Sequence, residues 1–168
     1  MDKPRKFLSK IKSLSALSST LKRVRSNKKK PKIVFTNGCF DLLHKGHVTY
    51  LEAARKRGDI LVVALNADES VKRLKGPERP LNTLADRMEV IGALECVDFV
   101  TWFEEETPLN AINKLKPDVL VKGGDWKPEQ IVGSTEVRSW KGKVFSLPYV
   151  EGKSTTELIA LARKTQAT

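Results

Sequence analysis

Long hydrophobic runs are absent from this sequence of 168 residues. No stretch approaches the roughly 20 apolar residues that a membrane-spanning helix needs. The N-terminus also lacks the continuous apolar core of a secretory signal. We therefore expect no membrane span and a cytoplasmic location. The length suffices for one domain with a substantial core.

Cysteine and histidine are scarce as well, with two of each. Cys39 and Cys96 form neither a disulfide framework nor a spacing typical of metal ligands. We therefore expect a reducing compartment and no dedicated metal site. The two histidines, His44 and His47, lie together and are taken up below.

Acidic residues are nearly missing from the start of the chain. Residues 1–32 hold twelve Lys or Arg and one acid, Asp2, which accounts for the whole net charge of +11. Excess positive charge suggests nucleic acid or an anionic membrane as a partner. That suggestion applies only to this segment, because the remaining residues are electrically balanced. No nucleic-acid partner is expected for the rest of the chain, in which basic and aromatic residues are not interleaved.

Residues 1–31 predict a basic amphipathic helical arm that ends at the run Lys28–Pro31. One stripe of apolar residues recurs at steps of three and four: Phe7, Ile11, Leu14, Leu17, Leu21 and Val24. We expect this stripe to pack on the rest of the protein or on a subunit partner. Binding of nucleic acid or lipid by the arm is the non-enzymatic alternative, and its composition also resembles an organelle transit peptide.

Residues 32–168 predict a single domain in which strands alternate with helices. The strands are expected at 33–35, 59–65, 97–101, 118–121 and 143–147, and the helices at 47–57, 84–94, 108–115 and 155–163. This pattern predicts an α/β fold with a Rossmann-like, doubly wound, parallel five-stranded sheet. Ligands of such sheets bind beyond the carboxyl ends of the strands, where strand order reverses. The loops 36–47, 66–83, 122–127 and 148–154 are therefore the informative ones.

The loop after the first strand is the strongest candidate for a phosphate site. His44 and His47 are three residues apart, so both face the same side of a first helical turn. Gly46 between them allows a ligand to approach the backbone. The N-terminus of a helix offers free N–H groups and partial positive charge to phosphates. Two solvated histidines at a helix start are the plainer interpretation, but their pairing directly after a strand and a turn disfavours it.

Two later segments add cations and glycines. The run Lys72–Pro80, followed by Arg87, could supply mobile cations that clamp a triphosphate, with Lys75, Arg79 and Arg87 preferred. A solvated basic loop is the alternative. In Val121–Trp126, two glycines after a strand permit close backbone approach, and Trp126 could stack on a flat ring. A glycine turn with its tryptophan in the core is the alternative.

The segment Gly152–Glu157 places hydroxyl groups at the predicted start of the last helix. Such hydroxyls bind phosphate, but they also cap helices without any ligand, and Ser154 is the expected N-cap. The segment is not a P-loop, because the upstream glycine at the required spacing is missing.

These motifs together resemble a known family. Phe35–Asp41 with His44-Lys45-Gly46-His47 is similar to the cytidylyltransferase-like branch of the nucleotidylyltransferases, whose signature is H-x-G-H. The wider set resembles the D-glycero-β-D-manno-heptose 1-phosphate adenylyltransferases (ADP-heptose synthases) of bacterial lipopolysaccharide assembly: Ile33–Leu51, Ser70–Gly76, Leu84–Met88, Lys116–Asp125 and Ser154–Thr156. In many bacteria this unit is the C-terminal half of a bifunctional protein with a sugar kinase. No kinase-like segment occurs here, so we expect the stand-alone form.

The resemblance implies that ATP and the heptose 1-phosphate give ADP-heptose and pyrophosphate, with Mg²⁺ carried on the nucleotide. It implies that His44 and His47 stabilise the transition state and that Lys75 and Arg87 neutralise the β- and γ-phosphates. The expected nucleotide contacts are Thr36, Asn37, Gly38, Phe40, Gly46, Arg79, Gly124, Trp126, Ser154, Thr155 and Thr156. Asp41, Lys122 and Asp125 are expected to contact the sugar phosphate, and a homodimer is expected.

A cytidylyltransferase for a polyol or amino-alcohol phosphate, such as glycerol 3-phosphate, is the alternative enzyme. Related glycerol-phosphate cytidylyltransferases carry an arginine shortly before the Ser-Thr-Thr element. The corresponding residues here, Pro148–Gly152, contain none. This departure fits a different base but does not by itself select adenine.

Overall fold

A computed structural model describes residues 6–148 and 155–165. Its centre is a parallel sheet of five strands in the order β3-β2-β1-β4-β5. The strands are β1 (Ile33–Gly38), β2 (Ile60–Asn66), β3 (Phe99–Phe103), β4 (Val119–Gly123) and β5 (Lys143–Leu147). The predicted α/β class and parallel five-stranded sheet are confirmed.

The three central strands, β1, β2 and β4, are largely buried on both faces, which explains their nearly continuous apolar sequences. Alternate residues of β1 face two separate cores: Ile33 and Phe35 belong to one, and Val34 to the other. All three are completely buried. Helices cover both faces, so the sheet is doubly wound as predicted.

Seven α-helices accompany the sheet in the described part of the chain. They are α1 (Leu14–Arg25), α2 (Lys45–Arg55), α3 (Asp68–Lys75), α4 (Leu84–Gly92), α5 (Leu109–Leu115), α6 (Ser134–Ser139) and α7 (Thr155–Thr165). One core contains residues of α1, α5 and α6, and the other contains residues of α2 and α4. Within residues 6–148 and 155–165, no helix is both long and apolar enough to cross a membrane.

The N-terminal arm is not one helix, and that expectation was wrong. A short 3-10 helix, Lys6–Lys10, comes first, and Ile11 then forms a parallel bridge with Val100 beside β3. Ser13 is the N-cap of α1, and its side chain accepts a hydrogen bond from the Ala16 N–H. The main-chain pairing at Ile11 competes with a helical path, which the apolar spacing alone did not show.

The apolar stripe of α1 packs on the rest of the protein. Leu17 and Leu21 are 0% and 1% exposed and share a core cluster with Phe35 and Ile112. The Arg25 guanidinium donates to the carbonyl oxygens of Leu115 and Lys116, at the C-terminal end of α5. The expected packing of the stripe is confirmed for α1. The division into an arm and a domain at residue 31 stays a prediction.

Several element bounds differ from expectation. Helix α2 begins two residues earlier than predicted, at Lys45, and ends at Arg55 before Gly58, while β3 begins two residues later than predicted. Helices α3 and α6 and the 3-10 helix Pro128–Gln130 were not predicted at all. Helix α3 is mostly charged and buries only Ser70 and Val71, so it lacks the apolar periodicity that marks a helix in a sequence.

Replacing Leu17 by Ala tests whether α1 belongs to the core. We expect the free energy of unfolding to fall by about 2–5 kcal/mol, because a buried leucine loses its contacts and leaves a cavity. Lys22→Ala, on the exposed face of the same helix, should change it by less than about 0.5 kcal/mol. Urea titration followed by circular dichroism measures both. A loss below about 1 kcal/mol for Leu17→Ala would contradict the assignment.

Candidate active site

The candidate site lies where the strand order reverses. Strand β1 pairs in parallel with β2 on one side and with β4 on the other. The chain leaves β1 and β4 in different directions, so a crevice forms beyond their carboxyl ends. The signature loop, residues 36–47, follows β1 at this point, and residues 124–127 follow β4. The predicted phosphate loop therefore lies at the expected edge of the sheet.

The two histidines stack against each other at the start of α2. Their ring centroids are 3.8 Å apart, with an angle of 21° between the planes. His44 is the N-cap residue, and its side chain makes no capping hydrogen bond. The Phe40 ring meets His47 edge-on with a centroid distance of 5.2 Å. The predicted shared face is confirmed, and it places both imidazoles beside the N-terminal end of a helix.

Burial controls the protonation of His47. Loss of solvation, and then the neighbouring His44, lower the pKa of His47 from 6.5 to about 4, against a smaller opposing effect of the Leu42 backbone. His47 is therefore a neutral imidazole at pH 7. A neutral imidazole still carries one N–H that can donate to a phosphate oxygen.

Tight packing fixes the backbone of the signature loop. A Cβ atom on Gly38 would lie 2.9 Å from the Phe40 ring, so a larger residue there would have to displace that ring. The Thr36 hydroxyl is buried and lies 2.5 Å from the Tyr50 hydroxyl, which also donates to the Val121 carbonyl at 3.3 Å. Tyr50 thus joins α2 to β1 and β4. Tyr50 was not predicted as a site residue, because a single tyrosine in a helical segment forms no motif that indicates a function.

Asp41 holds the loop that follows α3. Its side chain is 1% exposed and accepts hydrogen bonds from Arg79 Nε at 2.6 Å, from the Leu81 N–H and from the Asn82 N–H. Burial alone would raise the pKa of Asp41, but these hydrogen bonds and the Arg79 charge hold it below its usual value. The Asp41 carboxylate therefore accepts its hydrogen bonds from groups of the protein itself. Its predicted contact with a sugar hydroxyl stays a prediction.

Arg87 is the most deeply buried cation described, at 1% exposure. Its guanidinium donates to the carbonyl oxygens of Asn82, Cys39 and Asn66 and to the Asp68 carboxylate. The expectation of a mobile cation was wrong, because four acceptors fix the group in place. Arg87 thereby joins the signature loop to the segment before α4. Its predicted role at the β- and γ-phosphates stays a prediction.

The charges of four predicted cations act on Cys39 in the signature loop. Burial raises the pKa of the Cys39 thiol, and the charges of Lys75, Arg87, Lys122 and Arg79 partly oppose that rise. Burial, with a smaller contribution from Lys75, also lowers the pKa of Lys122, whose Nζ lies 3.5 Å from the Asn37 side-chain oxygen. The fold therefore brings cations from three separate segments to one loop.

The segment after β4 is a turn with an exposed aromatic ring. Gly124 adopts a φ of 117°, which side chains rarely tolerate, and its N–H donates to the Leu147 carbonyl at 2.8 Å. Asp125 is exposed, and Trp126 is 48% exposed. The alternative of a tryptophan tucked into the core was therefore wrong. Trp126 remains a candidate for stacking on a base.

The start of α7 touches the signature loop. The Thr155 hydroxyl donates to the Leu42 carbonyl at 3.2 Å. Ser154 and its predicted capping role lie outside the described residues, as does the side chain of Thr156. The Ser-Thr-Thr element therefore joins the histidine loop through its central threonine.

A metal site formed by the protein alone is not evident in the described part of the chain. Within residues 6–148 and 155–165, no group of three or more His, Cys, Asp or Glu could hold a metal ion. Arg79, Arg87 and Lys122 instead bring positive charge to residues 36–47.

A family comparison identifies this arrangement. The model of the family described as cytidylyltransferase-like matches residues 35–160, which include the histidine loop, the cations and the start of α7. The chain belongs to the cytidylyltransferase-like family. It is a nucleotidyltransferase by family, and its parallel five-stranded sheet is consistent with that family.

Curated relatives of this nucleotidyltransferase are larger proteins. The chain is 54% identical over 154 residues to the bifunctional protein HldE of Geotalea uraniireducens, covering 92% of this chain and 31% of that protein. It is 59% identical over 128 residues to the bifunctional protein HldE of Haemophilus ducreyi, covering 76% and 27%. The chain thus spans about a third of the length of the curated relatives it matches.

A solved structure with a similar fold covers most of the domain. It is a lipopolysaccharide core biosynthesis protein from Thermoplasma volcanium, with a TM-score of 0.59 and 28% sequence identity. The match covers 73% of this chain and 99% of that one.

The low pKa of His47 predicts how stability of this nucleotidyltransferase depends on pH. The folded pKa, about 4, lies below the unfolded value of 6.5, so the unfolded chain binds a proton first as pH falls. His47 therefore contributes stability above pH 6.5 that is lost progressively toward pH 4.

Urea titrations at pH 7 and pH 5 test this dependence. The parent should lose about 1–2 kcal/mol more than His47→Gln over this interval, allowing for partial exposure of the ring. Glutamine does not titrate, so carboxylates that titrate in both proteins cancel in the comparison. Parallel pH profiles of the two proteins would rule out a neutral, buried His47.

Proposed function

We propose that this protein transfers AMP from ATP to D-glycero-β-D-manno-heptose 1-phosphate, giving ADP-heptose and pyrophosphate. The observation that carries the proposal is the stacked pair His44 and His47 at the start of α2, with cations from three segments around the same loop. Such a site suits a reaction in which negative charge must be held and redistributed.

The substrate choice draws on similarity. The chain shares 54% and 59% identity with two bifunctional proteins named HldE, and its motifs resemble those of heptose 1-phosphate adenylyltransferases. The Thermoplasma relative is a lipopolysaccharide core biosynthesis protein, and a heptose fits that role. From these similarities we infer that ATP and the heptose phosphate are the substrates of this protein.

The chemistry is a direct displacement at phosphorus. A phosphate oxygen of the sugar phosphate attacks the α-phosphorus of ATP and forms a new P–O–P bond. The bond from the α-phosphorus to the bridging oxygen breaks, and that oxygen leaves with pyrophosphate. One P–O bond forms and one breaks, so the reaction needs no covalent enzyme intermediate. Catalysis then depends on alignment of the two phosphates and on stabilisation of developing charge.

Each part of the site has a role in this displacement. His44 and His47 donate N–H groups to oxygens of the transferring phosphate, together with backbone N–H groups at the start of α2. Lys75 and Arg79 bind the β- and γ-phosphates, and Thr155 lies close enough to the loop to assist. Lys122 and Asp125 contact the sugar phosphate, and Trp126 stacks on the adenine.

Magnesium is proposed as the metal that accompanies ATP. When bound, Mg²⁺ supplies neutralising charge to the pyrophosphate leaving group, and it needs few protein ligands in such sites. The cationic set of Lys75, Arg79 and Lys122 fits a metal held by phosphates better than one held by the protein. A cytoplasmic homodimer is part of the same proposal.

Substrate preference tests the proposed function. Pyrophosphate release should occur with ATP and the β-anomer of the heptose 1-phosphate, and mass spectrometry of the product should give ADP-heptose. Incubations with CTP, with glycerol 3-phosphate, and with ATP alone serve as controls. A preference for CTP, or turnover of the polyol phosphate in place of the heptose, would favour the cytidylyltransferase alternative and contradict the proposal.

Replacing His47 by Ala tests its catalytic role. We expect kcat to fall at least about 100-fold, which corresponds to about 2.7 kcal/mol, because one preorganised donor to the transition state is removed. Thermal unfolding of the variant at pH 7 checks that the fold is kept. A folded variant with turnover near that of the parent would refute the role.

A further inference from the structure

Asp41 and Arg79 form a buried ion pair whose purpose the proposed reaction does not explain. Their side chains are 1% and 17% exposed, and Asp41 Oδ2 lies 2.6 Å from Arg79 Nε. Burial of a charged pair is costly unless its geometry is good and its remaining hydrogen-bonding groups are satisfied. Asp41 meets that condition, since it also accepts from the Leu81 and Asn82 N–H groups.

The hydrogen bonds of Asp41 leave little room for a substrate. A carboxylate has about four acceptor positions, and three donors already occupy this one at 2.6–3.0 Å. The Asn82 amide also donates to the Asp41 carbonyl oxygen at 2.7 Å. Asp41 is therefore joined to residues 79–82 through both its side chain and its backbone, and it faces protein instead of the crevice.

Arg79 is held in a way that leaves it able to bind phosphate. Its bond to Asp41 uses Nε, which is one of the five N–H donors of a guanidinium. Its charge also reaches Cys39 in the signature loop, together with Lys75 and Lys122. A phosphate at this loop can therefore engage the outer nitrogens of Arg79 while the Nε bond to Asp41 remains.

We propose that Asp41 is a positioning residue that acts through Arg79: it fixes the guanidinium beside the signature loop, so that the cation is already oriented for the triphosphate. Arg87 supports the same arrangement. Its guanidinium donates to the carbonyl oxygen of Cys39, in the same loop as Asp41, and to that of Asn82, in the same loop as Arg79. Preorientation lowers the entropy lost when a long cationic side chain binds its ligand. This inference rests on the proposed function.

The inference predicts that Asp41 and Arg79 are coupled in nucleotide binding. A double-mutant cycle compares the parent, Asp41→Asn, Arg79→Ala and the double variant. Asparagine keeps an oxygen that can accept from the Leu81 and Asn82 N–H groups, but it loses the charge that orients Arg79. The dissociation constant of ATP, measured by isothermal titration calorimetry, is the primary readout.

The expected result is non-additivity. Each single change should weaken ATP binding by at least about 10-fold, the scale of one charge-assisted hydrogen bond. With Arg79 already replaced, Asp41→Asn should add less than about 3-fold. Full additivity, or unchanged binding by Asp41→Asn in the presence of Arg79, overturns the inference.

A matched control separates positioning from general structural loss. Asp118 likewise accepts a backbone N–H, from Ile33 at 2.8 Å, at the opposite edge of the sheet. Asp118→Asn should leave ATP binding unchanged. A purely structural Asp41 would lower the melting temperature and weaken binding equally in both backgrounds of the cycle, which contradicts the inference.

Kinetics distinguish this inference from direct sugar contact by Asp41. Action through Arg79 should raise KM for ATP in Asp41→Asn and leave KM for the heptose phosphate near the parent value. If Asp41→Asn raises only the KM for the heptose phosphate, the inference is overturned. If the parent binds ATP but does not turn over the heptose, only the proposed function fails, and the binding cycle still decides the role of Asp41. A parent that binds neither ATP nor CTP overturns both.

Discussion

The parallel pairing of β1 with both β2 and β4 is the constraint on which the rest of this molecule depends. Residues 33–36 of β1 are completely buried among strands and helices, and the strand pairs on both sides, so its register is fixed. The reversal of strand order at β1 opens the crevice in which the signature loop lies. Helix α2 then begins at this crevice, and its first turn carries the two histidines. The position of the site thus follows from the topology before any side chain is considered.

A network of buried charges makes the loops at this edge into a single unit. Asp41 and Arg87 together contact residues from the signature loop, the end of β2, the start of α3 and the segment before α4. Removing one partner would leave buried groups unsatisfied, so the network resists local rearrangement. The positive charge around the signature loop comes from a few side chains held in place by hydrogen bonds. The basic run Lys28–Lys30 directly precedes β1, at the opposite edge of the sheet.

The sequence predicts those features that depend on local pattern. The alternation of apolar strands and helices indicates the parallel α/β sheet, and the spacing of His44 and His47 indicates that they share a face. Helix α3 escapes prediction because charged residues dominate it, and the break in the arm escapes because Ile11 pairs with Val100 from far along the chain. The positions of Asp41 and Arg87 depend on contacts 38 to 48 residues away in sequence, which no spacing rule encodes. The spacing of these residues in the sequence therefore does not show that they also hold the loops of the site together.

We propose that a triphosphate binds at the start of α2, where the strand order reverses. A crystal structure of the protein with a non-hydrolysable ATP analogue and Mg²⁺ tests this most directly. We expect the α-phosphate within hydrogen-bonding distance of His44 or His47, with Arg79 still bonded to Asp41 through Nε. A nucleotide bound elsewhere, for example in the cavity lined by Leu14, Trp102 and Glu105, would contradict it.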